Sequence, residues 1–178
     1  MLELNVPERE YFNSEKNEFF IIKSQTLRLE HSLVSISKWE SKWCKHFLGN
    51  KDKTNEEILD YIRCMTLTQN VDPMVYHGLS NKEIDKICDY IDAPMTATTF
   101  SGKEKAPSLR VITSEEIYYQ MIALGIPFEC QKWHINRLLT LIKICNIRNN
   151  PKKMGKSDIY KQNNELNKAR RMAMHSKG

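Results

Sequence analysis

The sequence predicts a mostly α protein: a compact helical domain, with room for a small N-terminal β element and a basic helical C-terminal extension. Three observations carry this. Capping boxes, in which a Ser or Thr and a Glu three residues on satisfy each other's free amides, begin at Thr54/Glu57, Ser80/Glu83 and Thr113/Glu116. The stretch 127–148, PFECQKWHINRLLTLIKICNIR, repeats apolar residues at helical steps of three and four. Only six glycines occur in 178 residues, few for a sandwich of many tight turns.

The elements follow in order. Residues 1–18 are polar, with Pro7 and scattered acids, and read as an irregular arm. FFIIKSQTLRLE (19–30) is β-prone and then alternates, which suits a strand. In the next segment Leu33, Ile36, Trp39 and Trp43 are spaced for a helix, although Val34 and Ile36 between serines also suit the second arm of a hairpin. Helix is the preferred reading. Gly49–Lys53 is a turn, and the helix opened by Thr54 turns Ile58, Tyr61, Ile62 and Met65 inward, before Asp72-Pro73 breaks the pattern. The helix after Ser80 turns Ile84, Ile87, Cys88 and Ile91 inward and closes at Pro94. Residues 95–110 are a loop or the base of a short hairpin, with Arg110–Ile112 a short strand.

EEIYYQMIAL follows Thr113, Gly125 supplies its stop, and Pro127 starts the next helix. That long helix places Trp133, Leu138, Leu141, Ile142 and Cys145 on one face, with His134, Asn136, Arg137 and Lys143 outside it or at its rim. It ends at Asn149–Pro151. The domain division is therefore an arm at 1–18, a mostly helical domain at 19–150, and a basic extension at 151–178, helix-prone but with an apolar stripe too thin to stand without a partner.

Charge is uneven. From Lys152 onward eight Lys/Arg face two acids, a balance of +6, which leaves −1 for residues 1–151 out of the net +5. A cationic tail on a near-neutral body suits a polyanion, an acidic protein surface or simple solvation. No apolar run is long enough to span a membrane, and the N-terminus lacks the pattern of a secretory signal. Five unpaired-looking cysteines, mostly among apolar neighbours, read as small core residues of a reduced compartment.

Chemistry is sparse. Cys130 and His134 share a helical face, but zinc needs two further ligands, normally a second close pair, and the sequence offers none. Cys130 then reads as core, and His134 as a capping or surface hydrogen-bonding group. No nucleophile elbow and no phosphate-binding glycine loop is present, and the acid pairs Glu56-Glu57 and Glu115-Glu116 suit helix starts electrostatically. Catalytic, cofactor and metal residues are therefore not assigned, and the chain reads as a binding protein. Partner-binding candidates are Trp39, Trp43 and Trp133 as anchors, Arg137 at the helix rim, and Lys168, Arg170 and Arg171 in the tail. Lys38, Lys42 and Lys45 beside the first two tryptophans keep nucleic-acid binding as a minor reading.

The segments EHSLVSISKWESKW (30–43), DYIRCMTLTQNVDP (60–73), DAPMTATTF (92–100), IPFECQKWHINRLLTLIKICNI (126–147) and ELNKARR (165–171) cover much of the chain. Their wording resembles small proteins of the structural-gene region of tailed bacteriophages of Gram-positive hosts, specifically tail assembly chaperones. The resemblance implies a protein of the host cytoplasm without a cofactor, whose partners are the tape-measure and tail tube proteins and further copies of itself. A permanent virion subunit, such as a head–tail connector or tail component, is the alternative. The resemblance assigns no role to individual residues.

Overall fold

A computed structural model of the chain describes residues 1–13, 18–50, 52–100 and 112–149, and beyond them Tyr160, Asn164, Asn167, Lys168, Arg170 and Arg171. The architecture is mostly helical with a small antiparallel β element at the N-terminus. The chain divides into two units, Met1–Lys143 and Ile144–Gly178. In the second, the described residues from Tyr160 onward are helical and exposed, and the rest of the predicted basic extension lies outside the described residues.

The N-terminal segment departs from the expected irregular arm. It forms β1 (Leu2–Val6) and β2 (Arg9–Asn13), which pair with β4 (Gln25–Leu29) and β3 (Glu18–Ile22) respectively. Both ladders keep one register: Leu2 faces Leu29, Val6 faces Gln25, Arg9 faces Ile22 and Asn13 faces Glu18, so paired numbers always total 31. The four strands are thus the two halves of one long hairpin, interrupted where Pro7 can donate no ladder hydrogen bond. Polar residues hid this pattern. β1 alternates Leu4 and Val6 inward with Glu3 and Asn5 outward, the signature of a half-buried strand.

The inner half of the hairpin enters the core through Leu4, Val6, Leu27 and Leu29, all at most 3% exposed. Residues 65–68 run along the outer edge of β4, with Thr66 bridging Leu29 and the Leu67 amide donating to the Arg28 carbonyl at 2.7 Å. Residues 33–43 are helical, as preferred: α1 (Leu33–Trp43) starts at Ser32, whose side chain and that of Ser35 form a reciprocal cap, and ends at Cys44 in the left-handed region. Leu33, Ile36 and Trp39 form its buried face. The carboxylate of Glu40, also buried, accepts from the amides of Phe47 and Ser114, each at 2.7 Å, which ties α1 to the start of α5 (Ser114–Ala123).

The boxes at Thr54/Glu57 and Ser80/Glu83 open α2 (Asn55–Met65) and α4 (Asn81–Asp92) as expected. At Thr113 the side chain accepts from the Glu116 amide at 3.4 Å. Asp72-Pro73 starts a helix instead of only breaking one: Asp72 caps α3 (Pro73–His77), with Pro73 in the first turn where its missing amide costs nothing. Tyr61, Ile62, Met65 and Ile87 point inward, but Ile58 is 38% exposed and Cys88 lies on the outer face of α4. Among the five cysteines Cys130 alone is buried and Cys44 and Cys88 are exposed, so they are not a set of core residues. Residues 95–100 have no regular structure, and the strand expected at Arg110–Ile112 falls largely outside the described residues.

The helix expected over 127–148 is broken. Gly125 adopts a φ of +65° and ends α5, Pro127 leads into a 3₁₀ turn at Phe128–Lys132, and α6 (Ile135–Asn149) begins only after an extended Trp133. The break has a cause in His134. Its Nδ1 accepts the Asn136 amide at 3.3 Å, which caps α6, while Asn136 Nδ2 donates to the carbonyls of Ile91 and Ala93 at the end of α4. No described helix is long and apolar enough to cross a membrane.

Candidate functional site

Two polar clusters and one apolar patch stand out, and the predicted residues are divided among them. The first cluster is internal. His31 and His134 are 2% and 3% exposed, with ring centroids 5.1 Å apart, where the end of β4 meets the start of α6. The Ile135 amide donates to the His31 carbonyl at 2.7 Å, and Ser32 bridges His134. His31 Nδ1 pairs with the Tyr61 hydroxyl. His134 Nε2 donates to the Tyr90 carbonyl at 3.0 Å, and since Nδ1 accepts from Asn136, the ring is the neutral Nε2–H tautomer. The Tyr90 hydroxyl donates to Glu30 at 2.6 Å. Burial, followed by the proximity of His134, lowers the His31 pKa to about 3, and burial also lowers that of His134. Every ring nitrogen named here is engaged in joining elements. His134 therefore caps, as expected, but from the core and not from the helix rim.

The second cluster is a surface cleft of about 280 Å³ lined by Lys42 and Trp43 of α1, Asp60 and Arg63 of α2, and His77 of α3. The buried Asp60 carboxylate accepts from Lys42 Nζ and, at 2.8 Å, from the Trp43 indole N–H. Burial pushes the Asp60 carboxyl up, but those hydrogen bonds and the charges of Lys42 and Arg63 outweigh it and hold it below its ordinary value. Arg63 donates to His77 Nε2 at 3.2 Å and lies 5.3 Å over the Tyr76 ring, while its own Nε is buried without a hydrogen-bond partner among the described residues. The cleft holds two cations against Asp60 and Glu56, so its charges are largely balanced within it.

The predicted anchors do not share one surface. Trp39 is fully buried and its indole N–H donates to the Glu57 carbonyl at 2.8 Å, so it is a core residue and not a partner anchor. Trp43 reaches the cleft. Trp133 is half-buried beneath the Arg137 guanidinium, 4.1 Å from the ring centroid, with Trp133 at the break in 127–148 and Arg137 in the first turn of α6. Lys42 and Lys45, flanking the first tryptophans, are paired with Asp60 and Glu57. Trp39 is thus unavailable for base stacking, and of the three lysines Lys38 is exposed without an ion pair among the described residues. Lys168, Arg170 and Arg171 are exposed in the second unit.

The residues that sequence reasoning missed are apolar and outward. Tyr119 and Ile122, 66% and 64% exposed, lie one turn apart on α5. Tyr118, one helical turn before Ile122, stacks on the 51%-exposed Phe128 at 6.3 Å. The signal was present as EIYYQMIA, whose apolar residues encircle the helix when only Ile117 and Met121 are needed inside. Among the described residues no group of three or more His, Cys, Asp or Glu could hold a metal ion. Comparison with known proteins gave no matching family model, no matching curated protein and no matching solved structure.

Proposed function

We propose that this chain is a protein-binding factor in the morphogenesis of a tailed phage particle, acting as a tail assembly chaperone for the tape-measure and tail tube proteins. The observation that carries the binding role is the apolar patch of Tyr119, Ile122 and Phe128, displayed on a helical body. Aromatic and aliphatic side chains clustered in the open are the composition of protein interfaces. The assignment to tail assembly draws on the resemblance of five sequence segments. A helical, apolar client such as a tape measure would lay its apolar face on this patch.

A second reading, a permanent virion subunit, is favoured by the outer half of the hairpin, which carries exposed Phe19 and Ile21 away from the core. Ribbons of this kind suit lattice contacts between neighbouring subunits.

Mass spectrometry of purified particles against infected-cell lysate decides between them. Presence in the lysate and absence from particles supports the chaperone. A fixed copy number in particles supports the subunit. If the chain instead co-purifies with nucleic acid and is released steeply by salt, the exposed Lys168, Arg170 and Arg171 are the contact and both readings fail.

A further inference from the structure

The charges of the cleft between α1, α2 and α3 balance by count but not by pairing. Asp60 is fully engaged, accepting from Lys42 Nζ and from the Trp43 indole N–H. Glu56, one turn earlier on α2 and exposed, makes no ion pair among the described residues, and neither does Arg63, one turn later. The Arg63 charge reaches Asp60 only through space, and its hydrogen bond goes to the neutral ring of His77, at 3.2 Å. The Tyr76 ring and the C-terminal end of α2 account for a cation at this position. Neither supplies an acceptor for Nε, which is sealed from water and unpartnered among the described residues. A guanidinium offers five donors in a fork that matches planar acceptors. This one spends its fork on an uncharged neighbour.

We propose that this cleft binds a small organic acid, with Arg63 taking the carboxylate and Trp43 and Leu59 covering the apolar body. Three features select that class of ligand. A carboxylate met side-on accepts from Nε and a terminal guanidinium nitrogen together. Turning Arg63 toward one therefore replaces an orphaned donor and a bond to a neutral ring by two charge-assisted bonds. Charge decides the second point. Asp60 and Glu56 line the same cleft and repel a phosphate dianion about twice as strongly as a carboxylate, while Lys42 stays committed to Asp60 and adds no second free cation. Size decides the third. A volume of about 280 Å³ is at the small end of ligand pockets and suits an acid with one ring, not a nucleotide. The site shares no residue with the α5 patch and stands whether or not the chain acts in phage assembly.

Titration of the nitrogen-15-labelled full chain with phenylacetate at fixed ionic strength, followed by its amide and indole N–H signals, tests the proposal. Saturable shifts are expected at the Trp43 indole, at Asp60 and Arg63 and at His77, with a Kd on the order of millimolar. Phenylacetamide, the neutral isostere, should bind at least about tenfold more weakly than phenylacetate, and phenylacetate should lose as much on Arg63→Gln. Inorganic phosphate should also bind more weakly. Glu56→Gln, at an exposed position, should tighten phenylacetate binding about twofold, because it removes a repelling charge. Circular dichroism melts verify folding, and the phenylacetamide and Glu56→Gln arms judge the proposal even where Arg63→Gln does not fold. No saturable shift in the cleft at about 20 mM phenylacetate overturns it. So does equal binding of phenylacetamide or of phosphate, or an affinity untouched by Glu56→Gln or by a folded Arg63→Gln. Shifts confined to the exposed Lys168, Arg170 and Arg171 also overturn it, since they mark attraction to the cationic tail. None of these results bears on whether the chain is found in particles, so the functional reading is judged separately.

Discussion

The inner and outer halves of the hairpin share one register and one backbone geometry, yet they lead different lives. The inner half, β1 with β4, sinks Leu4, Val6, Leu27 and Leu29 among the helices. The outer half, β2 with β3, buries Ile22 and is held to α4 and the end of α3 by Arg9, which reaches both Glu83 oxygens at 3.0 Å and the Gly78 carbonyl. Ladder hydrogen bonds are the same kind in both halves. What differs is the apolar area each removes from water, and that area dominates the net stability of a small sheet. A ribbon is therefore as stable as whatever lies on its faces.

The sharpest way to break the comparison is to truncate one inner leucine. Leu27→Ala should cost about 2–5 kcal/mol, because a fully buried leucine leaves both lost transfer energy and a cavity. Urea denaturation would show it as a lower midpoint at constant slope.

Acid should separate the halves next. The inner half leads directly into His31, whose pKa in the folded chain is about 3 against an ordinary 6.5, lowered by burial first and by His134 second. The groups facing this pair are Tyr61 of α2, Tyr90 of α4, and Glu30, itself 2.9 Å from the Met1 ammonium. Below pH 6.5 the unfolded chain gains a proton that the folded chain refuses, so stability falls as pH drops from about 6.5 to about 3. Over the full window the loss is on the order of a few kcal/mol, with His134 adding in the same direction. Denaturation midpoints measured across this range should slope downward with acid, and His31→Gln should flatten the slope. An unchanged slope in that variant would remove His31 as its source.

How much of this was legible beforehand depended on whether the signal was local. The caps at Thr54 and Ser80, the buried Leu33, Ile36 and Trp39 of α1 and Tyr61, Ile62 and Met65 of α2, and the stop at Gly125 are each encoded within a few residues, and each was readable. The hairpin was half readable. FFIIKSQTLRLE announced strands, but its partner, LELNVPEREYFN, turns polar Glu3 and Asn5 to solvent in β1 and is broken by Pro7, so its alternation was diluted. The break at Trp133 was hidden for another reason. Stripe periodicity over 127–148 continues across it, and only the tertiary bonds of His134 and Asn136 to α4 make an extended residue there worthwhile. Trp39 and Trp43, alike in sequence as anchors, were separated by one helical turn into core and cleft.

Arg9→Ala probes the tether between the halves. It removes a two-pronged contact to a buried carboxylate, but Glu83 keeps its bonds from the Ser80 amide and hydroxyl, each 2.7 Å. Screening at the partly exposed arginine limits the effect further, and about 1–2 kcal/mol is expected. Hydrogen exchange should show the loss concentrated in β2 and β3, with β1 and β4 still protected. Equal deprotection of all four strands would mean that the hairpin opens as one unit.

Ile21→Ala gives the smallest expected effect and the most pointed contrast with Leu27→Ala. Both are large aliphatic residues on ladders of one register, but Ile21 is 62% exposed and Leu27 is not exposed at all. With little area to lose and no cavity to leave, Ile21→Ala should shift stability by no more than about 0.5 kcal/mol in dilute solution. Near-equality of the two substitutions would show that the outer half is as well covered as the inner one.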